Sequence, residues 1–346
     1  MSNQLVLVTG ISGFVATHVA LEYLKNGHPV RGTVRSKEKA EVVKKTPCFQ
    51  PYLEQLSFVV VEDLVTGDFS EAVKDVSIVA HTASPFHMSG SSWEKDYRDP
   101  AVRGTRNCLE AAAKESSVKH VVVTSSFASV GDFSKPATEQ AGKVYTEKDW
   151  NPITEKECEG LKSDNPMAAS LWYCASKKFA EKTAWEIAEQ SNFTLSTICP
   201  PMVFGPPLHN VDSLDALNTS SGAVYGLMKK DGSSSKEVPE TAFPAFADVR
   251  NVAEAHFKSS IEGKNERYLV CNGTFTNQTI VDSIRDRYPD LKDRLAEGNR
   301  GEKPDGKVFT LDASKAEKEL GLRYISFEDC VKDTVDRFLA IEKEVN

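Results

Sequence analysis

Tyr173-Cys174-Ala175-Ser176-Lys177 places a phenol and an ammonium four residues apart. On a helix, residues at that spacing share a face. A lysine charge beside a phenol favours the phenolate, so Tyr173 is expected below its ordinary value of about 10. That would make it a usable proton donor or acceptor near neutral pH. The spacing alone is cheap, since it recurs at Tyr225-x-x-x-Lys229 and Tyr288-x-x-x-Lys292. Context separates the three. Only Tyr173 begins a long helical stretch between two strand-like apolar runs. Tyr225 follows a Ser/Gly-rich stretch, and Tyr288 precedes Pro289. Upstream, Val123-Thr124-Ser125-Ser126 closes an apolar run. In a parallel sheet, ligands bind beyond the carboxyl ends of the strands. Ser126 is therefore expected at that edge, with its hydroxyl free to hydrogen-bond a carbonyl oxygen.

A second pattern lies near the N-terminus. Thr9-Gly10-Ile11-Ser12-Gly13-Phe14-Val15-Ala16 has the spacing G-x-x-G-x-x-A. It joins the run Leu5–Thr9 to a helical stretch. Glycine there permits a tight turn and lets a pyrophosphate approach the backbone at the helix N-terminus. Ala16 is small enough for helix and sheet to pack closely. The G-x-x-x-x-G-K-[ST] phosphate loop of nucleotide hydrolases is absent. NAD-selective sites carry an acid about 20 residues on, against the ribose 2′-hydroxyl. Here the sequence is Gly32-Thr33-Val34-Arg35-Ser36-Lys37-Glu38-Lys39. Arg35 ends the strand and Lys39 follows one helical turn later. Two cations suit a 2′-phosphate, so NADPH/NADP+ is expected rather than NAD(H). Asp63 and Leu64 are expected near the adenine.

These groups need a scaffold, and the periodicity supplies one. Short apolar runs at 5–9, 29–34, 58–61, 76–81, 120–125 and 195–199 read as strands. Helical patterns fall at 14–26, 37–45, 102–115 and 167–190. Repeated βα units imply an α/β Rossmann fold, a doubly wound parallel sheet with helices on both faces. Residues 131–166 and 205–245 break the rhythm and are expected as irregular segments over the site. Helical patterns return at 312–320 and 327–342. The expected organisation is a dinucleotide-binding domain over 1–200, with about 245–260 returning to it. Residues 201–346 would be mainly a smaller mixed α/β substrate-binding cap.

Composition excludes several classes. The chain has 346 residues and a net charge of −8, with 40% hydrophobic and 27% charged residues. This is an ordinary globular balance, with no global electrostatic reason to bind nucleic acid. The longest uninterrupted apolar run, Leu171–Ala175, is five residues, against about 20 for a membrane span. No signal-peptide pattern opens the chain. The seven cysteines are scattered without a Cys-x-x-Cys pair, as expected of reduced cytoplasmic thiols. Neither a Gly-x-Ser-x-Gly elbow nor a His-Glu-x-x-His motif occurs, and no metal site can be assembled.

Taken in order, Thr9–Ala16, His81-Thr82-Ala83-Ser84-Pro85, Thr124-Ser125-Ser126, Asp149-Trp150-Asn151-Pro152, Tyr173–Lys177, Lys177–Lys182, Pro200–Pro206 and Asp248–His256 resemble the extended short-chain dehydrogenases/reductases. The closer likeness is to the fungal NADPH-dependent aldehyde and methylglyoxal reductases, relatives of dihydroflavonol reductase. It runs from residue 5 to about 338. The resemblance implies a reductase of small aldehydes and ketones, reversible as an alcohol oxidation. It implies Ser126 as the carbonyl-orienting serine, Tyr173 as proton donor, and Lys177 as the residue that binds the nicotinamide ribose and tunes Tyr173. Gly10, Ser12, Gly13, Phe14 and Val15 would cradle the pyrophosphate, and Arg35 and Lys39 would take the 2′-phosphate. Thr82, Ala83 and Ser84 would line the cofactor, and Pro200 to Val203 would hold the nicotinamide carboxamide. Phe86, Phe127, Trp172 and Met202 flank these motifs and are expected in the substrate-pocket wall. Two departures stand out: Ala101 replaces the asparagine that many relatives carry before Val-x-Gly-Thr, and Cys199-Pro200-Pro201 replaces a commoner Asn-Pro. A monomer or homodimer is expected. Two rivals remain: a nucleotide-sugar epimerase or dehydratase with resident NAD+, and a non-catalytic NADP(H) sensor.

Overall fold

The computed structural model describes residues 4–84, 90–229, 237–303, 306 and 308–344. Its centre is a sheet of seven parallel strands among the described residues. In chain order these are β1 (Val6–Val8), β2 (Val30–Val34), β3 (Leu56–Val60), β4 (Ile78–His81), β5 (His120–Thr124), β6 (Thr194–Cys199) and β7 (Glu266–Leu269). Their spatial order is β7-β6-β5-β4-β1-β2-β3. The chain therefore reverses direction between β1 and β4, which pair in register at Val6 with Ile78 and Val8 with Ala80. That reversal opens the crevice in which doubly wound sheets bind their ligands.

Both faces of the sheet are covered, and for this reason its central strands β1, β4 and β5 are buried without alternation. Val6 and Val8 point to one side and pack with Val19, Ala20 and Tyr23 of α1 (Phe14–Lys25). Leu7 points to the other side, with Val79, Val121 and Leu109. The five helices that matter for the site are α1, α2 (Lys37–Lys44), α3 (Asp99–Lys114), α4 (Ala168–Glu189) and α5 (Val249–Glu262). Leu109 and Ala112 of α3 and Ala184 and Ile187 of α4 cover the Leu7 face. Val252 and Ala255 of α5 join α1 on the Val6 face. The ends of the helices follow from local chemistry. Ser36 caps α2 by accepting from the Lys39 N–H, and Asp248 caps α5 by accepting from Arg250 N. Gly263 closes α5 at φ +64°, the left-handed conformation a glycine takes without penalty.

Beyond β6 the chain builds a smaller mixed sheet from Met202–Phe204, Ala245–Asp248 and Gly273–Thr274. Helices Asn277–Arg287 and Phe327–Glu344 pack on it around Phe246, Phe275, Ile280 and Phe338. The irregular stretch 131–166 holds short elements of its own, including the strand Val144–Tyr145, which pairs with Thr310–Leu311. All seven cysteines are free thiols. Among the described residues no helix is long and apolar enough to cross a membrane, and no cluster of His, Cys, Asp and Glu could hold a metal ion.

One contact ties the sheet to the glycine loop. Ile11 is fully buried and lies over Gly32 of β2, where an added Cβ would meet Ile11 side-chain carbons at 2.6–2.9 Å. Gly32→Ala therefore forces Ile11, and the loop with it, off the strand. The expected cost is about 1–3 kcal/mol of stability, as for other over-packed cores. Chemical denaturation, read together with dinucleotide affinity, checks this; both should fall.

Candidate active site

The carboxyl ends of β1, β2, β4, β5 and β6 open onto a cavity of about 1240 Å³. Single small-molecule sites occupy roughly 300–1,000 Å³, so this one has room for a dinucleotide and a second ligand. Gly10, Ser12, Gly13, Phe14 and Val15 form its floor at the start of α1. Gly10 has φ +65°, and a Cβ there would stand 3.0 Å from that of Ala83. The backbone of the loop is thus bare where an anion would approach. Thr9 ties the loop to the end of β4: its hydroxyl oxygen accepts from Thr82 N at 3.1 Å and Ala83 N at 3.0 Å. The Thr33 hydroxyl accepts from Gly10 N at 2.9 Å.

Arg35 and Lys39 line the far end of the same cavity. Neither side chain makes a hydrogen bond or ion pair among the described residues. Asp63 and Leu64 line it too. The Asp63 carboxylate is taken up by the turn that follows, accepting from Val65 N and Thr66 N, both at 2.8 Å. The bonds from Thr66, with some help from the Arg35 charge, hold it below the usual carboxylate range.

At the other end stand Ser126, at the tip of β5, and Tyr173, in the first turns of α4. The Ser126 hydroxyl lies close enough to the phenol to lower its pKa. Ser126 also accepts from Ala128 N at 3.1 Å, which caps the turn Phe127–Ser129 and fixes its rotamer. Lys177 lies one helical turn behind Tyr173, buried, and donates to the Thr124 carbonyl at 3.1 Å and towards Ser84 Oγ at 3.5 Å. Burial pushes it down to about 8 against the opposing pull of Glu181.

Here the expected electrostatics need correction. Tyr173 was expected to be lowered by Lys177. Instead burial pushes the phenol up, Cys174 adds to the rise, and only the Ser126 hydroxyl pulls it back. The Lys177 ammonium donates at the strand ends, and burial dominates at the phenol.

Other expected residues divide. Thr82, Ala83, Ser84, Met202, Val203 and Phe127 reach the cavity. Pro200 is buried behind it, its carbonyl accepting from Phe127 N at 2.8 Å. Trp172 is a second correction. It is 2% exposed and packs against Tyr97, with ring centroids 5.7 Å apart, while its indole N–H donates to the Cys158 carbonyl at 2.9 Å. It belongs to the core beneath α4. Phe86 lies outside the described residues. Phe133 and Phe243 were not anticipated, yet both line the cavity beside Phe127 and stack on each other at 5.5 Å. The available signal was that each falls in one of the two irregular segments.

Comparison with known proteins now decides the family. The model of the family described as Male sterility protein matches residues 8–235. An uncharacterized oxidoreductase of Schizosaccharomyces pombe is 42% identical, with 97% of each chain covered. The chain belongs to the extended short-chain dehydrogenases/reductases. Within this family it is also 35% identical to the NADPH-dependent methylglyoxal reductase of Saccharomyces cerevisiae, over 98% of this chain and 99% of the other. The crystal structure of yeast methylglyoxal/isovaleraldehyde reductase complexed with NADPH superposes with a TM-score of 0.86 at 34% identity, covering 98% of this chain and 99% of that one. This short-chain dehydrogenase/reductase therefore shares the whole architecture of a structure that holds a dinucleotide.

Proposed function

We propose that the chain is an NADPH-dependent reductase of aldehydes and ketones, able to run in reverse as an alcohol oxidation. The observation that carries this is one cavity lined at one end by Arg35 and Lys39, which make no ion pair among the described residues, and at the other by Ser126 beside Tyr173. The residues present fit the cofactor. The bare glycine loop suits its pyrophosphate, and Arg35 with Lys39 suits its 2′-phosphate. Bound there, NADPH supplies the hydride.

The protein's own residues do the rest. Ser126 and Tyr173 hold the carbonyl oxygen by two donated hydrogen bonds. As negative charge builds on that oxygen, Tyr173 passes its proton to it. A high phenol pKa suits a donor, because the tyrosine stays protonated until an alkoxide forms. Lys177 binds the nicotinamide ribose and supplies the positive charge behind Tyr173. Phe127, Phe133, Phe243 and Met202 give the carbonyl an apolar wall. Residues 201–346, apart from the stretch that returns to the sheet, form the substrate-binding side. A cytoplasmic enzyme, monomer or homodimer, is the reading that seven free thiols support.

The test is NADPH consumption, with NADH as control, on methylglyoxal, a simple aldehyde and an aryl ketone. Turnover that prefers NADPH is expected. Measurable NADPH binding with no turnover on any of the three would overturn the reductase reading in favour of a sensor. Purified protein carrying resident oxidised cofactor, with no net consumption, would favour an epimerase or dehydratase.

A further inference from the structure

Glu181 lies one turn past Lys177 and two past Tyr173 on α4, so the three side chains share a face. Its side chain is fully enclosed. It is nevertheless charged. Arg267 of β7 grips it with a fork, Nε to Oε1 at 2.7 Å and Nη2 to Oε2 at 3.1 Å. Burial alone would raise this carboxyl. The Arg267 charge and the bonds from Arg267, Ser125 and Ser129 outweigh it and hold the group below its usual value.

The remaining partners are what single this pair out. Oε2 accepts from Ser125 Oγ and Ser129 Oγ, both at 2.6 Å. Those serines stand immediately before and three residues after Ser126. Oε1 accepts from Thr197 Oγ1 of β6 at 2.8 Å. Ser129 Oγ is also 2.7 Å from the Ser126 carbonyl. A hydroxyl has one hydrogen, and the carboxylate is the stronger acceptor. Arg267 reaches further. Nη1 donates to the Glu147 carbonyl at 2.9 Å and to that of Asp149, Nη2 donates to Ser129 Oγ at 3.0 Å, and the guanidinium lies 3.8 Å over the Trp150 ring. Asn151 completes the tie, donating from its backbone N to Ser129 O and from Nδ2 to Ala128 O, each at 2.9 Å.

For stability alone such a pair is a poor choice. Taking both charges out of water costs about as much as their attraction returns, and apolar residues of the same volume often do as well. What the pair does fix is geometry: both shoulders of the Ser126 turn are bolted to the helix that carries Tyr173 and Lys177. The charged neighbourhood of Lys177 points the same way. Around the ammonium are Glu181 on its own helix, Thr124 O and Ser84 at the strand ends, His81 of β4 and Cys199 of β6. His81 is pushed down to about 3 by burial and by Lys177, so it is neutral. Cys199 is pushed up to about 12 by burial and by Glu181, so it stays a thiol. Among these groups Glu181 supplies the negative charge.

We propose that Glu181, locked by Arg267, is a positioning residue of the reaction: it aims Ser126 at Tyr173 through Ser125 and Ser129, and it sets a negative charge one helical turn past Lys177. The proposal rests on the reductase reading above. Two variants separate its halves. Ser125→Ala with Ser129→Ala removes the tie to the turn and leaves the charge. Glu181→Gln removes the charge and keeps the shape. Without Glu181 the Lys177 ammonium loses its proton at lower pH, so the alkaline limb of kcat/KM moves down.

The experiment is pH-dependent carbonyl reduction by both variants, together with melting temperature and crystal structures of the cofactor-free proteins. The double serine variant should lose kcat by about 10-fold, with KM for NADPH within about twofold and the wild-type alkaline limb. Its crystal structure should show the Ser126 hydroxyl moved away from Tyr173. Glu181→Gln should lose at least as much kcat and shift the limb down by about half a unit or more. Folded variants with wild-type kcat, wild-type limb and an unmoved Ser126 overturn the proposal. If Glu181→Gln does not fold, the serine variant decides alone: an unchanged kcat overturns it. A wild type that reduces no carbonyl overturns the reading beneath the proposal, and the proposal with it.

Discussion

Tyr173→Phe lowers kcat for carbonyl reduction by about 10²–10⁴-fold, the span expected when a positioned proton donor is removed. NADPH affinity should stay within about twofold, because the ring remains and only the hydroxyl is lost. Phenylalanine fills the same half-buried place at the start of α4. It cannot hydrogen-bond Ser126, and it has no proton to give a developing alkoxide. Steady-state kinetics beside a direct NADPH titration separate the two effects. The other two Tyr-x-x-x-Lys sites serve as controls. The Tyr225 hydroxyl bonds to Glu342 at 3.1 Å. The Tyr288 hydroxyl bonds to Asp336 at 2.8 Å and the Lys332 carbonyl at 3.1 Å. Both lie in the C-terminal packing, so Tyr225→Phe and Tyr288→Phe should leave kcat/KM unchanged. Equal loss in all three would point to a folding defect common to them.

The second large effect concerns cofactor choice. Replacing Arg35 and Lys39 together by alanine should raise KM for NADPH by about 10–100-fold and leave KM for NADH nearly unchanged. Hydrogen bonds to charged groups are worth about 1.5–3 kcal/mol where they are well made. Arg35 is exposed, so solvent and salt reduce that figure, and the lower part of the range applies at physiological ionic strength. The loss should therefore grow as salt is lowered. An unchanged NADPH-to-NADH ratio would show that the cations do not read the 2′-phosphate.

The parts of the fold written in local pattern were legible. Val6–Val8 and His120–Thr124 are buried on both faces, and a run buried on both faces needs no partner to be recognised. The strand Glu266–Leu269 escaped notice because it reads Glu-Arg-Tyr-Leu. Its arginine is buried only because Glu181 waits 86 positions earlier in the chain, and no periodicity carries that. The same limit governs the site. The glycine loop, Ser126, Tyr173 and the Arg35–Lys39 pair could be placed because each follows directly from a strand end or a helix turn. Trp172 adjoins Tyr173 in sequence, but adjacent helical residues diverge by roughly 100°, which turns the indole into the core against Tyr97. Lys177 shares a face with Tyr173, but its long side chain finds the Thr124 carbonyl, a partner 53 residues away. Phe133 and Phe243 reach the cavity from segments whose path depends on the tertiary fold.

The central claim is that hydride passes from NADPH to a carbonyl carbon held at Ser126 and Tyr173. The most direct measurement uses NADPH carrying deuterium at C4 of the nicotinamide, prepared separately on each face, with an aldehyde or ketone that the enzyme reduces. Mass spectrometry of the product alcohol reads the transfer. One deuterium on the former carbonyl carbon is expected from one of the two labelled cofactors and none from the other, with Tyr173→Phe forming less alcohol but still one deuterium per molecule formed. Alcohol free of deuterium from both cofactors would contradict direct transfer and the account built on it.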